Sequence, residues 1–235
     1  MTVLVVIAKE CLPGKVKTRL HPPLTLEQAA LLAAASLDDT LAAVASLPAT
    51  RRVLAFDGDV PPAAAAGWEI LPQVSGGLDE RLAAIFDSFD EPTVLIGMDT
   101  PQVTAALLAP VFATDITNVH TDAWLGLADD GGFWALAMKK PNGDLIRGVP
   151  MSQDDTGSRQ LARLTDAGLR VGQLAPLMDV DTIDDAHIVA AVAPHGLFAQ
   201  ALAEALHPTP AGRHAADPAV AEKLDAAPVS KESRS

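Results

Sequence analysis

The sequence predicts an α/β fold, a single domain with a mostly parallel central sheet and helices on both of its faces. Apolar runs such as Val3 to Ile7 and Thr93 to Gly97 show no polar alternation, which suits strands covered on both sides. These runs alternate along the chain with Ala- and Leu-rich stretches of helical period, the order expected of strand–helix–strand units. With 49% apolar residues in a chain of 235, one large core is within reach.

The elements follow in order. Val3 to Ile7 reads as the first strand, and it empties into a loop carrying Lys9, Cys11, Gly14, Lys15, Lys17, Thr18 and Arg19. Thr25 to Gln28 has the Thr-x-x-Gln form of a capping box, so a helix is predicted from there to about Leu47. Arg52 to Phe56 and Trp68 to Leu71 read as strands, with the Pro61-Pro62 and poly-Ala insert between them unassigned. Gly76-Gly77 precedes a helical pattern from Leu78 to Phe89, with Leu78, Leu82, Ile85, Phe86 and Phe89 on one side. Thr93 to Gly97 is a buried strand, Val103 to Phe112 a helix, and Ile116 to His120, Trp124 to Leu127 and Phe133 to Met138 are strands. A helix over Ser158 to Ala167, a strand over Arg170 to Leu174 and two short helices after Asp181 complete the domain, residues 1–207. Residues 208–235, rich in Ala, Pro and charge without an apolar period, are expected to form a disordered tail.

Composition narrows the function. Asp and Glu number 30 against 17 Lys and Arg, for a formal net charge of −13. Four of those scarce cations, Lys9, Lys15, Lys17 and Arg19, crowd into the first loop, so an acidic chain has one place that attracts a small anion. With no Tyr, three Trp and six Phe, there is little to stack bases along a nucleic-acid track. The single Cys11 excludes an internal disulfide and a cysteine zinc site, and no apolar run reaches membrane length, which predicts a cytoplasmic setting. The six histidines show no paired metal spacing, and no Gly-x-Ser-x-Gly elbow occurs.

Chemistry is expected at the carboxyl ends of strands, where open α/β sheets place their ligands. Asp99 follows the strand that ends at Gly97; it either binds Mg²⁺ or Mn²⁺ or caps the next helix. Asp179 and Asp181, two apart in extended backbone, project to the same side and can face a cation together. Asp181 is equally placed to cap the helix after it. Asp129-Asp130-Gly131-Gly132 is either a ligand-facing loop or a hairpin turn. Gly76, Gly77 and Leu78 with Arg81 form a turn suited to an anion or a base edge. Thr156, Gly157 and Ser158 offer donors at a helix start. Asp57-Gly58-Asp59 superficially matches paired acids of aspartate-nucleophile phosphatases, but Pro61-Pro62 follows at once as in a surface turn.

The order AKECLPGKVKTRL, SGGLDERL, IGMDTP, ADDGGFWALAM, MSQDDTGSRQLARLTDAGLRV and DVDTIDDA resembles a bacterial family of GT-A-fold, glycosyltransferase-like proteins, itself similar to molybdenum-cofactor guanylyltransferase and 2-phospho-lactate guanylyltransferase. The resemblance runs from Val3 to about Leu206. It implies a nucleotide-diphospho-sugar transferase type of sandwich with a divalent cation. Lys9, Gly14, Lys17, Thr18 and Arg19 would then bind the nucleotide phosphates, and Gly76, Gly77, Leu78 and Arg81 the rest of the nucleotide. Asp99 would hold Mg²⁺ or Mn²⁺ with Asp179 or Asp181 as its second ligand, and Asp130, Gly131, Gly132, Thr156, Gly157 and Ser158 would face the acceptor. The DTGSR segment is similar to the acceptor-phosphate loop of the phospholactate enzymes. Cys11 departs from the family's usual Pro.

The expected activity is transfer from a nucleotide-activated donor, with Lys17, Arg19 and Asp99 as catalytic groups. Glycosyl transfer from a nucleotide-diphospho-sugar to a small acceptor is the leading form. Nucleotidyl transfer from an NTP to a phosphorylated acceptor is its rival, favoured by the cationic loop because a triphosphate carries more charge. A non-catalytic nucleotide binder is a third reading, against which both acidic clusters speak.

Overall fold

In the computed structural model, which describes residues 1–113 and 120–207, the first apolar run forms strand β1 (Val3–Lys9) at the middle of a seven-stranded sheet. The remaining strands are β2 (Arg51–Asp57), β3 (Glu69–Pro72), β4 (Thr93–Ile96), β5 (Ala123–Ala128), β6 (Phe133–Met138) and β7 (Val171–Leu177). Their order is β3-β2-β1-β4-β6-β5-β7. All pairings are parallel except those of β6, which runs antiparallel to both β4 and β5. The expected α/β sandwich is therefore present.

The helices are α1 (Leu26–Val44), α2 (Leu78–Asp87), α3 (Ala105–Phe112), α4 (Thr156–Asp166), α5 (Ile183–Val192) and α6 (Leu197–Leu206). The capping box predicted at Thr25 and Gln28 is formed in both directions. Residues 63–65 of the unassigned insert make one 3₁₀ turn. The strand expected over Ile116 to His120 lies, except for His120, outside the described residues, as does the tail from residue 208.

The lack of alternation in β1 has a direct cause. Leu4, Val6 and Ala8 pack on one face of the sheet against Leu37 and Leu41 of α1 and Leu108 of α3. Val3 and Val5 pack on the other, with Leu82 and Phe86 of α2 and Leu164 of α4. Both sets are removed from water, so each position must be apolar.

A third apolar cluster positions the chemistry. Leu20 and Leu24, just past the basic loop, pack with Leu32 of α1, Val180, Ala186 of α5 and Phe198 of α6. This joins the loop after β1 to the segment after β7, although they are far apart in sequence. Asp39 of α1 reinforces the joint by accepting from the backbone N–H groups of Leu197 and Phe198 at 2.9 and 2.8 Å, at the N-terminus of α6.

Candidate functional site

The loop after β1 turns through left-handed backbone at Gly14 (φ 75°) and Lys17 (φ 47°). For Lys17 that conformation is unfavourable, and it precedes a 3₁₀ turn at Thr18–Leu20 whose Leu20 is sealed in the third cluster. The Lys17 ammonium is thereby turned inward. Its Nζ lies 2.8 Å from Asp99 Oδ1 and 3.6 Å from Asp181 Oδ1, while Arg19 reaches Asp181 Oδ2 at 2.9 Å. The Lys17 side chain is only 9% exposed, against 42% for Asp99 and 40% for Asp181, so the cation is the more enclosed partner. Groups from the ends of β1, β4 and β7 thus meet in one place.

Backbone ties hold this meeting point. Ser36 of α1 donates its hydroxyl to the Met98 carbonyl at 2.8 Å, which fixes the turn that presents Asp99. Gln102 donates from Nε2 to the Met178 carbonyl at 2.7 Å, and the Val180 N–H donates to the Asp99 carbonyl at 3.3 Å. Asp99 and the Asp179–Asp181 strand end are therefore locked to one another. Neither acid is a helix cap. Thr104 precedes α3, and Thr182 with Asp185 forms the capping box of α5.

Asp179 is partly buried, and its Oδ1 is sealed from solvent without a hydrogen-bond partner. Burial pushes its carboxyl up to about 7, aided by Asp99, Asp130 and Asp181 and opposed by Lys17. Hard carboxylate oxygens, one of them unpartnered, suit a divalent cation. The set is not ready-arranged: among the described residues no three acidic, His or Cys side chains surround one point, and Lys17 lies between Asp99 and Asp181.

Beside this point are two hollows that share Lys9, Met98, Asp99 and Asp181 in their walls. The smaller, of about 200 Å³, is lined by Lys9, Lys15, Lys17, Thr18 and Arg19 together with Asp99 and Asp181. The larger, of about 500 Å³, runs across the sheet's carboxyl edge. At its β3–β2–β1 end, Arg81 donates to the Gly76 carbonyl at 3.2 Å and to Asp57 Oδ2 at 2.8 Å. Gln73 there donates to the carbonyls of Ala8 and Ala55 at 2.8 and 2.9 Å. Leu78 is 44% exposed, so it leaves the packed face of α2 on which the helical pattern puts it and lines the hollow, where the family resemblance puts it. Gly77 serves as N-cap of α2 and does not line it.

At the other end, Asp130, Gly132 and Thr156 line the hollow, whereas Gly131, Gly157 and Ser158 do not. The glycines have an internal reason. A Cβ on Gly131 (φ 88°) would lie 1.9 Å from the Asp154 carbonyl oxygen, and one on Gly157 would lie 2.4 Å from that of Gly132. The backbone they bring close is the protein's own, through a bond from the Gly157 N–H to the Gly131 carbonyl at 2.8 Å. Ser158 donates to the Asp155 carbonyl, and Arg159 pairs with Asp155 at 2.6 Å. Gly14 shapes the first loop without lining either hollow.

Several lining residues were not anticipated from the sequence as site groups: Gln73, Phe133, Trp134, Met151, Ser152 and Gln153. Met151 to Gln153 do open the longest of the recognised motifs, which is the signal that pointed to them. Cys11 packs against Val16, Ala30 and Ala33, and burial pushes its thiol up to about 11, which suits a packing role.

Residues 40–153 match the family described as uncharacterized protein conserved in bacteria (DUF2064). The family resemblance expected from the motif order is borne out. The chain is similar to a candidate nucleotide-diphospho-sugar transferase from Desulfovibrio desulfuricans G20, with a TM-score of 0.70 and 25% identity over 85% of this chain and 97% of that one. A cytidylyltransferase from Leptospira borgpetersenii serovar Hardjo-bovis (strain JB197) shares the fold at a TM-score of 0.50 and 12% identity, over 82% and 87% of the two chains. No curated protein sequence matches the chain. The sandwich is GT-A-like.

Proposed function

We propose that this protein is a divalent-cation-dependent transferase that uses a nucleotide-activated donor, in the leading form a glycosyltransferase acting on a nucleotide-diphospho-sugar. The observation that carries the reading is the convergence of Lys17, Asp99 and Asp181 at the ends of β1, β4 and β7, beside a hollow rich in cations. The likeness to the candidate nucleotide-diphospho-sugar transferase supports the same donor class.

In this reading the smaller hollow receives the donor diphosphate, with Lys9, Lys15, Lys17, Thr18 and Arg19 as its donors. The nucleoside lies toward Gln73, Gly76, Leu78 and Arg81 at the β3–β2–β1 end. Asp99, with Asp179 and Asp181, would hold Mg²⁺ or Mn²⁺, which when bound supplies positive charge to the departing diphosphate. During transfer the acceptor hydroxyl oxygen bonds to the anomeric carbon and the bond from that carbon to the diphosphate oxygen breaks. The electron pair leaves with the nucleoside diphosphate, and Lys17 and Arg19 neutralise it. The hydroxyl proton passes to water.

Nucleotidyl transfer is the second reading, favoured by the four cations on one short loop, more than a diphosphate demands. Thermal-shift measurements with sugar nucleotides, NDPs and NTPs, with and without Mn²⁺, test the donor assignment through mass action. Stabilisation by nucleotide that depends on Mn²⁺ and disappears in Asp99→Ala is expected. Unchanged Mn²⁺-dependent binding by a folded Asp99→Ala protein would refute the role of Asp99.

A further inference from the structure

The charge of the larger hollow is divided along the sheet. Toward β3, β2 and β1 its lining includes Lys9 and Arg81, and the adjoining smaller hollow adds Lys15, Lys17 and Arg19. Toward β6, β5 and β7 the lining contains Asp130 and Asp179 with neutral Ser152, Gln153, Thr156 and Phe133. Among the described residues no Lys, Arg or His lines that half. The nearest cation in sequence, Arg159, is held by Asp155 at 2.6 Å and does not reach the hollow.

The N-terminus of α4 does not make up the deficit. Its first two N–H groups, those of Thr156 and Gly157, donate to the carbonyls of Gln153 at 3.1 Å and Gly131 at 2.8 Å. The Thr156 hydroxyl is also engaged, donating to the Pro150 carbonyl at 2.9 Å and accepting from the Gln153 N–H at 3.0 Å. Although the DTGSR segment is similar to an acceptor-phosphate loop, these groups are bound to the protein's own backbone. Apart from the cation proposed at Asp99, Asp179 and Asp181, whose charge the donor diphosphate takes up, a phosphate or carboxylate entering here would meet Asp130 with no Lys, Arg or His of this half to offset it.

We infer that the acceptor is a hydroxyl compound without negative charge, and that the β6–β5–β7 half of the hollow selects against phosphate esters and carboxylates. This rests on the proposed donor reading and adds the acceptor's chemical class to it. Selection arises from repulsion as well as fit: Asp130 rejects anions, while neutral amide and hydroxyl groups receive a sugar or polyol.

The full chain is first matched to the sugar nucleotide that stabilises it most in Mn²⁺. Release of nucleoside diphosphate is then measured at constant ionic strength with paired probes: glycerol against glycerol 3-phosphate and glycerate, and glucose against glucose 6-phosphate. The uncharged member of each pair is expected to give a stimulation about tenfold or more greater, the scale of one like-charge contact. Asp130→Asn retains an oxygen for the Gly132 N–H, bonded at 2.8 Å in the native protein, and is expected to narrow that ratio. A ratio of one or less, including no response to either member, overturns the inference while nucleotide-dependent stabilisation leaves the donor reading standing. Absence of any nucleotide-dependent stabilisation overturns both.

Discussion

Replacing Asp179 by Asn should make the metal-free protein more stable at alkaline pH. Burial disfavours the charged form of the native carboxyl and pushes it up from 3.8, the ordinary value, to about 7. A raised carboxyl means that, as pH rises from about 4 to about 7, the unfolded chain gives up this proton while the folded chain keeps it, so stability falls through that window and levels off above it. At about 1.4 kcal/mol per pH unit the gap corresponds to roughly 4 kcal/mol; partial exposure of the side chain reduces this to about 2 kcal/mol. Asn keeps the shape and removes the charge. For a domain of this size the variant should melt about 4–8 °C higher than the native protein at pH 8.5 in EDTA, and nearly together with it at pH 4. Thermal unfolding of the two proteins across this range is the assay. A variant no more stable than the native protein at pH 8.5 would refute the claim that this acid is held in a site unfavourable to its charge. A carboxylate that weakens the fold at working pH is intelligible where a cation comes to offset it.

Other perturbations have definite outcomes. Lys17→Met removes the enclosed ammonium beside Asp99, and nucleotide affinity measured by calorimetry should fall about 10- to 100-fold, the scale of one charge-assisted bond; undiminished affinity would remove Lys17 from the phosphate site. Gly131→Ala places a methyl group within 1.9 Å of the Asp154 carbonyl oxygen and should destabilise by more than about 2 kcal/mol in urea unfolding, a result that a loop open to solvent would not give. Asp39→Ala leaves the Leu197 and Phe198 N–H groups without their acceptor. It should weaken the protein by about 1 kcal/mol, with faster amide hydrogen exchange concentrated in α6; uniform change across the sheet would contradict the capping role.

What the sequence made legible was local. The unbroken apolar run of β1 and the Thr25–Gln28 box each state their structure within a few residues, and Asp99 stood out because a strand so plainly ended before it. The direction of β6 was legible as one of two alternatives, since the hairpin reading of Asp129 to Gly132 makes it antiparallel to β5, as it is; its antiparallel pairing with β4 had no local signal. The choice between site residue and cap of α5 for Asp181 was balanced locally. Distant charge decides it, because Lys17 and Arg19 engage Asp181 and leave the cap to Thr182. Gly131, open between a ligand-facing loop and a hairpin turn, and Gly157, at a helix start, each leave room for backbone brought near by the fold, a contact that nothing local announces. Gln73 and Gln102 bind carbonyls of other elements, and nothing adjacent to them in sequence announces those partners.

The account turns on one shared site for donor diphosphate and cation. A crystal structure of the chain with Mn²⁺ and a nucleoside diphosphate, with manganese located by its anomalous scattering, tests it most directly. The expected result is one manganese bonded to Asp99 and to Asp179 or Asp181, with the diphosphate against Lys17 and Arg19. Manganese and diphosphate bound away from those side chains would contradict it.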